Sequence, residues 1–323
     1  MMIKYAVVGA GWISQQAFLP GVGQSANSKV TAIVTSDRDK AARLANYYGV
    51  GQIGDYDGYD ALLRGSDIDA VYIALPNHLH AHYAVRAARA GKHVLVEKPL
   101  ATSEQDALAM IAAAREAGVF LMTAYRLHNE PGTVAVLERI RNDAIGRPLF
   151  FQSVFSFQAA QGNHRLKAAS WGGPLQDVGV YCVNAARHIF AEEPIEAMAM
   201  VHRPNDDPRF REVEASVAAL LRFPSGGLPQ FVASFGAADV DSYRLSERRA
   251  ISNSTPASGS RQQQNSVCAA TARSAKLSFR KSTILARRSN TFQIASRLER
   301  RPRLVARRGW RTCAHWSQLK RLP

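Results

Sequence analysis

The sequence predicts an α/β domain with a doubly wound parallel sheet, followed by an α+β domain with a mostly antiparallel sheet. Over residues 1–124, short apolar runs alternate with helical segments, and Gly or Pro stands at their ends. Between residues 125 and 243, longer runs alternate apolar and polar side chains, which is typical of half-buried antiparallel strands. Beyond residue 243 neither periodicity persists, and we expect residues 244–323 to form a basic, disordered tail.

The elements of the first domain follow from local sequence. Strands are predicted at residues 3–8, 29–35, 70–75, 94–96 and 120–123, and helical segments at residues 12–19, 39–48, 61–63, 78–90 and 103–117. The helix stop signals are Pro20, Gly49, Gly91 and Gly118, and the predicted helix caps are Asn77 and Ser103. In the second domain, strands are predicted at residues 149–157, 196–202, 214–223 and 230–235, and helices at residues 133–141 and 178–190.

The excess of positive over negative charge lies entirely in the last part of the chain. The 323 residues carry a formal net charge of +15. Residues 1–243 hold 22 Lys+Arg and 24 Asp+Glu, whereas residues 244–323 hold 19 and 2, so the net charges are −2 and +17. The body is therefore near-neutral, and we expect neither a nucleic-acid nor a membrane partner. Three cysteines without disulfide or metal spacing, and no signal peptide before the first strand, predict a cytoplasmic protein.

A glycine-rich turn follows the first predicted strand and consists of Gly9, Ala10, Gly11, Trp12 and Ile13. Gly9 permits a tight turn, and Gly11 lets backbone N–H groups approach a pyrophosphate at the helix N-terminus. The third glycine position holds Ser14, which predicts slightly relaxed helix–strand packing. In the first βαβ unit of the chain this turn indicates a Rossmann dinucleotide site, although a plain strand–helix turn gives the same pattern.

The end of the second strand indicates which cofactor is bound. Thr35 and Ser36 are followed by Arg38 and Lys40, a combination that suits the 2′-phosphate of NADP. Asp37 is the opposing feature, because a carboxylate two positions away would hold the ribose 2′-hydroxyl of NAD. We therefore expect NADP in preference to NAD.

The catalytic candidates are Lys98, at the end of a strand and before a proline, and Asp177 with Tyr181, four residues apart on one helix face. A tyrosine beside a lysine suits acid–base chemistry on a sugar hydroxyl. The alternatives are a surface lysine, a helix-capping aspartate and a core tyrosine. No metal site is expected from His78, His80 and His82, because alternate helix residues do not share a face.

The chain resembles the glucose–fructose oxidoreductase / inositol dehydrogenase (GFO/IDH/MocA) family of NAD(P)-dependent sugar oxidoreductases, particularly its glucose–fructose oxidoreductase branch. The resemblance rests on the opening glycine turn, Glu97-Lys98-Pro99, residues 124–128 and residues 172–190. It implies that Tyr181 is the acid/base, that Lys98 tunes and positions it, and that Asp177 orients the sugar. We also expect Leu75, Asn77, His80, Glu97, Lys98 and Arg126 to contact the cofactor. The expected substrate contacts are Tyr125, Asn184 and His188.

The function expected is hydride transfer between a nicotinamide cofactor and a sugar or polyol carbon. The resemblance also implies a homo-oligomer for an intact family member, an expectation that does not extend to this chain. The alternative is a non-catalytic dinucleotide-binding regulator of the same fold.

A frameshift near Leu245 would explain the basic tail. Codons compatible with residues 247–256, 281–296 and 307–316, shifted by one base, encode segments that resemble the family's closing strand and helices in the right order. The sheet of the second domain would then lack its last strands and its covering helices, and we expect an unstable product with impaired catalysis.

Overall fold

The computed structural model describes residues 2–65 and 67–248, which form two domains. The first contains a six-stranded sheet in the order β3-β2-β1-β4-β5-β6, and all neighbouring strands are parallel. The strands are Ile3–Val8 (β1), Ser28–Val34 (β2), Gln52–Gly54 (β3), Ala70–Ile73 (β4), His93–Val96 (β5) and Leu121–Thr123 (β6). The strand order reverses beside β1, so a crevice opens at the carboxyl ends of β1 and β4, where such folds bind ligands.

Helices flank this sheet. They are Leu19–Gly23 (α1), Arg38–Tyr48 (α2), Tyr59–Leu63 (α3), His80–Arg89 (α4) and Glu104–Glu116 (α5). A π-helical segment, Ser14–Phe18, leads into α1, and a 3-10 turn, Asn77–Leu79, leads into α4. All four residues of β4 are buried, as expected for a parallel strand covered on both faces. The predicted α/β fold is confirmed.

Three local predictions for this domain were wrong. Pro20 does not end its helix, because it lies in the first turn of α1, where no backbone N–H is needed. The strand β3 was missed because its three residues are too few to show periodicity. Asn77 is not a helix cap, whereas Ser103 caps α5 as predicted by accepting a hydrogen bond from the Asp106 backbone N–H.

The second domain contains a five-stranded sheet in the order β11-β7-β10-β9-β8. Its strands are Arg147–Ser156 (β7), Glu196–His202 (β8), Ser216–Arg222 (β9), Leu228–Ser234 (β10) and Val240–Arg248 (β11). Only the pairing of β7 with β10 is parallel among the four pairs of this sheet. The helices are Pro131–Arg141 (α6) and Val180–Phe190 (α7), and a π-helical segment, Leu175–Gly179, leads into α7. The predicted mostly antiparallel sheet is confirmed.

One face of this sheet packs against α7 and the other is exposed. Val217, Phe231 and Ala233 are buried in one cluster with Val178 and Tyr181 from the helical side. The alternate positions Met198, Met200, Leu220 and Val232 point outward and are exposed. The beginning of α7 therefore lies over the buried face of the sheet, on the side that meets the first domain.

The strand β11 was not predicted. It pairs with β7 along the edge of the sheet and extends the domain to Arg248, beyond the predicted boundary at residue 243. Tyr243 and Leu245 pack beside the buried Phe151, but two apolar positions in a run rich in charged residues are too few to show a strand pattern in the sequence. The segments proposed to be out of frame beyond residue 248 lie outside the described residues.

Candidate active site

The glycine turn is fixed by a close backbone approach. Gly9 has a φ of +94°, and a Cβ there would lie 2.4 Å from the carbonyl oxygen of Ala74, which follows β4. Only glycine tolerates both conditions. A Cβ on Gly11, in contrast, would meet no atom within 4 Å. The open space above Gly11 fits the approach of a pyrophosphate to the helix N-terminus, so the residues present fit a dinucleotide.

Ser14 does more than relax the packing at the third glycine position. Its side chain is fully buried, and its hydroxyl donates a hydrogen bond of 2.6 Å to the carbonyl oxygen of Gly9. The serine therefore ties the first helix to the turn. Of the other turn residues, Ala10 is buried, Ile13 is half-buried, and Trp12 is 65% exposed beside the crevice.

The residues at the end of β2 divide into a capping pair and an exposed arginine. Asp37 caps α2 by accepting the Lys40 backbone N–H at 2.9 Å, and its carboxylate also pairs with Lys40 Nζ at 2.9 Å. The hydrogen bond from the Lys40 side chain lowers the pKa of Asp37. The Arg38 side chain is 79% exposed and reaches Asp55 at 2.8 Å. Thr35 is buried and Ser36 is exposed.

The loops after β4 and β5 are joined by His80. Its side chain is completely buried, with Nδ1 2.7 Å from the Pro99 carbonyl oxygen and Nε2 2.9 Å from the Leu75 carbonyl oxygen. Burial lowers the pKa of His80. No part of the His80 side chain is exposed in this structure, and its expected contact with the cofactor stays a prediction. His80 lies beneath the crevice and holds the two loops that form it.

Three other expected cofactor contacts lie in the loops that follow β4 and β5. The Asn77 side-chain amide donates to the carbonyl oxygen of Trp171 at 3.2 Å and so links the two domains. Glu97 is buried and accepts a hydrogen bond of 2.7 Å from the Tyr72 hydroxyl. Leu75 is half-buried next to the glycine turn.

Lys98 and Asp177 form the contact at the centre of the site. Lys98 Nζ lies 2.6 Å from Asp177 Oδ1 and 2.7 Å from the Asp177 carbonyl oxygen. It also lies 5.1 Å from the centroid of the Tyr181 ring. The three predicted residues, from two domains, are therefore together. Asp177 does not cap its helix, and Lys98 is not a surface lysine, because only 11% of its side chain is exposed.

Arg165 is a member of this group that the sequence analysis missed. Its Nε donates to Asp177 Oδ2 at 2.7 Å, so each carboxylate oxygen of Asp177 has its own cation. Asp177 thus contacts two cations in this structure, and its expected role of orienting the sugar stays a prediction. No signal in the sequence identifies Arg165, because the adjacent Gly172 and Gly173 indicate a close backbone approach but not the residue that is approached.

Electrostatic attraction between Asp177 and the two cations Lys98 and Arg165 keeps these side chains ionised. Burial has the largest single effect and lowers the pKa of Lys98, but the charge of Asp177, the interaction with Tyr181 and the hydrogen bond to Asp177 together raise it by more, so its pKa lies above the ordinary value. Burial raises the pKa of Asp177, but Lys98 and Arg165 lower it by more, so its pKa lies well below the ordinary value. At neutral pH two positive charges therefore face one negative charge.

Tyr181 is surrounded by aromatic rings and cations. It is 8% exposed and packs within 6.1 Å of the Tyr125 ring and 5.7 Å of the Phe155 ring, measured between centroids. The guanidinium carbon of Arg126 lies 5.8 Å from the Tyr181 centroid. Arg126 is therefore on the Tyr181 side of the cleft, and Tyr181 is both a core aromatic and a neighbour of two cations.

The expected substrate contacts continue from Tyr125 along α7. His128 stacks on Tyr125 at 5.6 Å between centroids and lies 4.3 Å from the His188 ring. Its Nε2 is 2.6 Å from Asn184 Oδ1. Tyr125, Asn184 and His188 therefore form one cluster around His128, in which Tyr125 and Asn184 are buried and His188 is half-buried. His128 belongs to the quoted motif but was not predicted as a contact.

Fold and site together define a two-domain, dinucleotide-dependent oxidoreductase. Two family models match the chain: an oxidoreductase family with an NAD-binding Rossmann fold over residues 3–125, and the GFO/IDH/MocA C-terminal domain over residues 133–248. The chain therefore belongs to the GFO/IDH/MocA family, and its first domain is an NAD-binding Rossmann domain. The predicted family and cofactor class are confirmed.

Characterised relatives are similar over most of their length. The dTDP-3,4-didehydro-2,6-dideoxy-alpha-D-glucose 3-reductase of Actinomadura kijaniata is 35% identical over 244 residues, which are 75% of this chain and 71% of the relative. A D-xylose 1-dehydrogenase (NADP(+)) of Haloferax volcanii is 32% identical, with coverages of 75% and 73%. The structure of aldose-aldose oxidoreductase from Caulobacter crescentus, complexed with glycerol, superposes with a TM-score of 0.81 at 28% identity and covers 99% of this chain and 97% of that one.

In residues 2–65 and 67–248, no helix has the length and apolarity to cross a membrane. The same residues contain no group of three or more His, Cys, Asp or Glu side chains placed to hold a metal ion.

Proposed function

We propose that this chain is an NADP-dependent oxidoreductase that transfers hydride between the cofactor and a carbon of a sugar or polyol. One observation carries the proposal: Lys98 of the first domain reaches Asp177 of the second at 2.6 Å and lies 5.1 Å from the Tyr181 ring centroid. An acid–base group is thus assembled from both domains at the crevice of a Rossmann fold. The relatives named above as acting on sugars support the substrate class.

In this proposal the nicotinamide supplies or accepts the hydride, and the protein moves the proton. Gly9 and Gly11 shape the turn that holds the pyrophosphate. During oxidation the phenolate oxygen of Tyr181 accepts the hydroxyl proton, and during reduction the phenol returns it to the carbonyl oxygen. The ammonium group of Lys98 stabilises the negative charge on the phenol oxygen, and Asp177 holds Lys98 in place. Tyr125, Asn184 and His188 bind the sugar hydroxyls.

Hydride transfer to NADP from a panel of aldoses and polyols tests this function. We expect Lys98→Met and Tyr181→Phe to abolish turnover. The Kd for NADP should stay unchanged in Tyr181→Phe, because that change does not alter the glycine turn, whereas weaker NADP binding by Lys98→Met would support the expected contact between Lys98 and the cofactor. If NADP binds but no aldose or polyol reduces it, even with protein from a gene whose reading frame is restored at codon 245, the enzyme proposal fails, and the non-catalytic regulator becomes the better interpretation.

We propose NADP rather than NAD because the Asp37 carboxylate is occupied as a helix cap and by Lys40, while Arg38 is exposed. An Arg38→Ala variant should bind NADP about tenfold more weakly, since a charge-assisted hydrogen bond is lost, and should bind NAD unchanged. The exposed Arg115, on α5, provides the control Arg115→Ala. Weaker NAD binding by Asp37→Asn would instead identify Asp37 as the ribose ligand.

We infer that a frameshift near Leu245 puts the remainder of the chain, to residue 323, out of frame and that this impairs the enzyme. Resequencing the coding DNA around codon 245 tests the inference, and an uninterrupted frame would refute it. A frame-restored protein should unfold at a higher temperature, because closing helices would cover apolar surface. We also propose that this form is a homodimer through the outward face that carries Met198, Met200 and Leu220. Light scattering of a Met200→Glu variant should then show a monomer.

A further inference from the structure

Arg165 stands in the long connection between β7 and the helix that carries Asp177. It belongs to the 3-10 turn His164–Leu166, which begins with the Asn163 side chain accepting the Arg165 backbone N–H at 3.0 Å. The guanidinium Nε reaches Asp177 Oδ2 at 2.7 Å, while Lys98 takes Oδ1 at 2.6 Å. Only 15% of the Asp177 side chain is exposed, so water competes little for either oxygen.

The Gly172-Gly173 pair fixes the position from which Arg165 acts. A Cβ on Gly172 would lie 2.2 Å from the Arg165 carbonyl oxygen, and the Gly173 N–H donates to that oxygen at 2.9 Å. The backbone of Arg165 is thus held against the start of the helical segment that carries Asp177. A larger residue at position 172 would push the Arg165 backbone, and with it the guanidinium, away from Asp177.

We propose that Arg165 is a positioning residue for the hydride-transfer reaction, an inference that rests on the proposed function. By binding Oδ2 it turns Asp177 so that Oδ1 holds Lys98. One carboxylate cannot neutralise two cations, so one positive charge remains uncompensated beside Tyr181. Such a preorganised charge stabilises the negative charge that develops on the phenol oxygen as the proton moves. Without Arg165, the carboxylate of Asp177 would neutralise the charge of Lys98. The two side chains would also be free to shift together, because nothing would hold Asp177 Oδ2.

The test compares Arg165→Gln with Lys167→Gln. Lys167 lies on the same loop but pairs with Glu212 at an exposed site, 2.7 Å away, so it is a matched control for the loss of a loop cation. We expect Arg165→Gln to lower kcat about 100-fold through misplacement of Lys98, with the Kd for NADP unchanged. Lys167→Gln should keep the wild-type kcat. Arg165→Lys should recover part of the loss, because it keeps the charge but lacks the fixed Nε geometry.

A second measurement needs no turnover. In full-length, NADP-bound protein labelled with [15N]lysine, the ammonium signal of Lys98 is identified by its loss in Lys98→Arg. It should shift in Arg165→Gln and in Arg165→Lys, and stay in place in Lys167→Gln. A wild type that oxidises no sugar would sink the proposed function but leave this test intact. The role of Arg165 is overturned if Arg165→Gln and Arg165→Lys leave the Lys98 signal and kcat unchanged. It is also overturned if Lys167→Gln shifts the Lys98 signal and lowers kcat as much as Arg165→Gln does. If Arg165→Gln does not fold, Arg165→Lys decides.

Discussion

Replacing Gly9 with alanine should destabilise the fold itself. The new Cβ would lie 2.4 Å from the Ala74 carbonyl oxygen and 3.0 Å from Leu75 Cδ2, at a φ of +94°. An L-residue in such a sparsely populated region costs about 1–3 kcal/mol before the clash is counted. For a domain of this size, each kcal/mol lowers Tm by about 2–4 °C. We therefore expect the Tm of Gly9→Ala to fall by about 5–10 °C, once the displaced Ala74 carbonyl is included.

Gly11→Ala is the matched control in the same turn. Its Cβ would meet no atom within 4 Å, so the Tm of the free protein should stay at the wild-type value. The methyl group would instead occupy the approach of the pyrophosphate, and the Kd for NADP should rise at least tenfold, a loss of about 1.4 kcal/mol. Thermal unfolding and a titration followed by the fluorescence of the exposed Trp12 measure both quantities. Equal loss of Tm in the two variants, or wild-type NADP binding by Gly11→Ala, would refute this reasoning.

Three further predictions concern buried polar groups. Asp177→Asn should lower the free energy of unfolding by about 3–5 kcal/mol, because two cations lose their partner. Folding lowers the pKa of Asp177 from its ordinary 3.8, so the wild type should lose this stability advantage as the pH falls from about 4 to 2. Equal acid sensitivity of the two proteins in urea titrations would contradict this prediction. Ser14→Ala should lose about 1 kcal/mol of stability with its buried bond to Gly9, measured by chemical denaturation, and an unchanged midpoint would argue against that bond. Burial raises the pKa of Cys182 to about 12, so this thiol should resist iodoacetamide at about pH 8 until the protein is unfolded; rapid native labelling in peptide mass spectra would show that Cys182 is accessible.

The sequence predicted those parts of the molecule in which local pattern and tertiary role agree. The strand Ala70–Ile73 is an uninterrupted apolar run because it is buried on both faces. Lys98, Asp177 and Tyr181 could be chosen because a strand end and an i, i+4 spacing are visible along the chain. The contact between Lys98 and Asp177, which are 79 positions apart, was expected from the family resemblance, and its distance is known only from the structure.

Features that depend on tertiary contacts escaped prediction. Arg165 lies in a connection without periodicity, and its role follows from a backbone approach that only the folded chain shows. The π-helical segments at Ser14–Phe18 and Leu175–Gly179 have no composition signature that separates them from ordinary helix starts. His80 was expected to contact the cofactor, but the sequence does not show that its side chain is buried next to two carbonyl oxygens from separate loops.

The Lys98–Asp177 pair crosses the boundary between the two domains, and the Asn77–Trp171 hydrogen bond crosses it nearby. A hinge motion that widened the cleft by a few ångströms would break the ion pair and separate the ammonium group from the phenol in a single step. Proton transfer would then require the closed arrangement of the two domains. In an open arrangement the first domain would keep its turn for the dinucleotide, but Lys98 would no longer lie beside Tyr181.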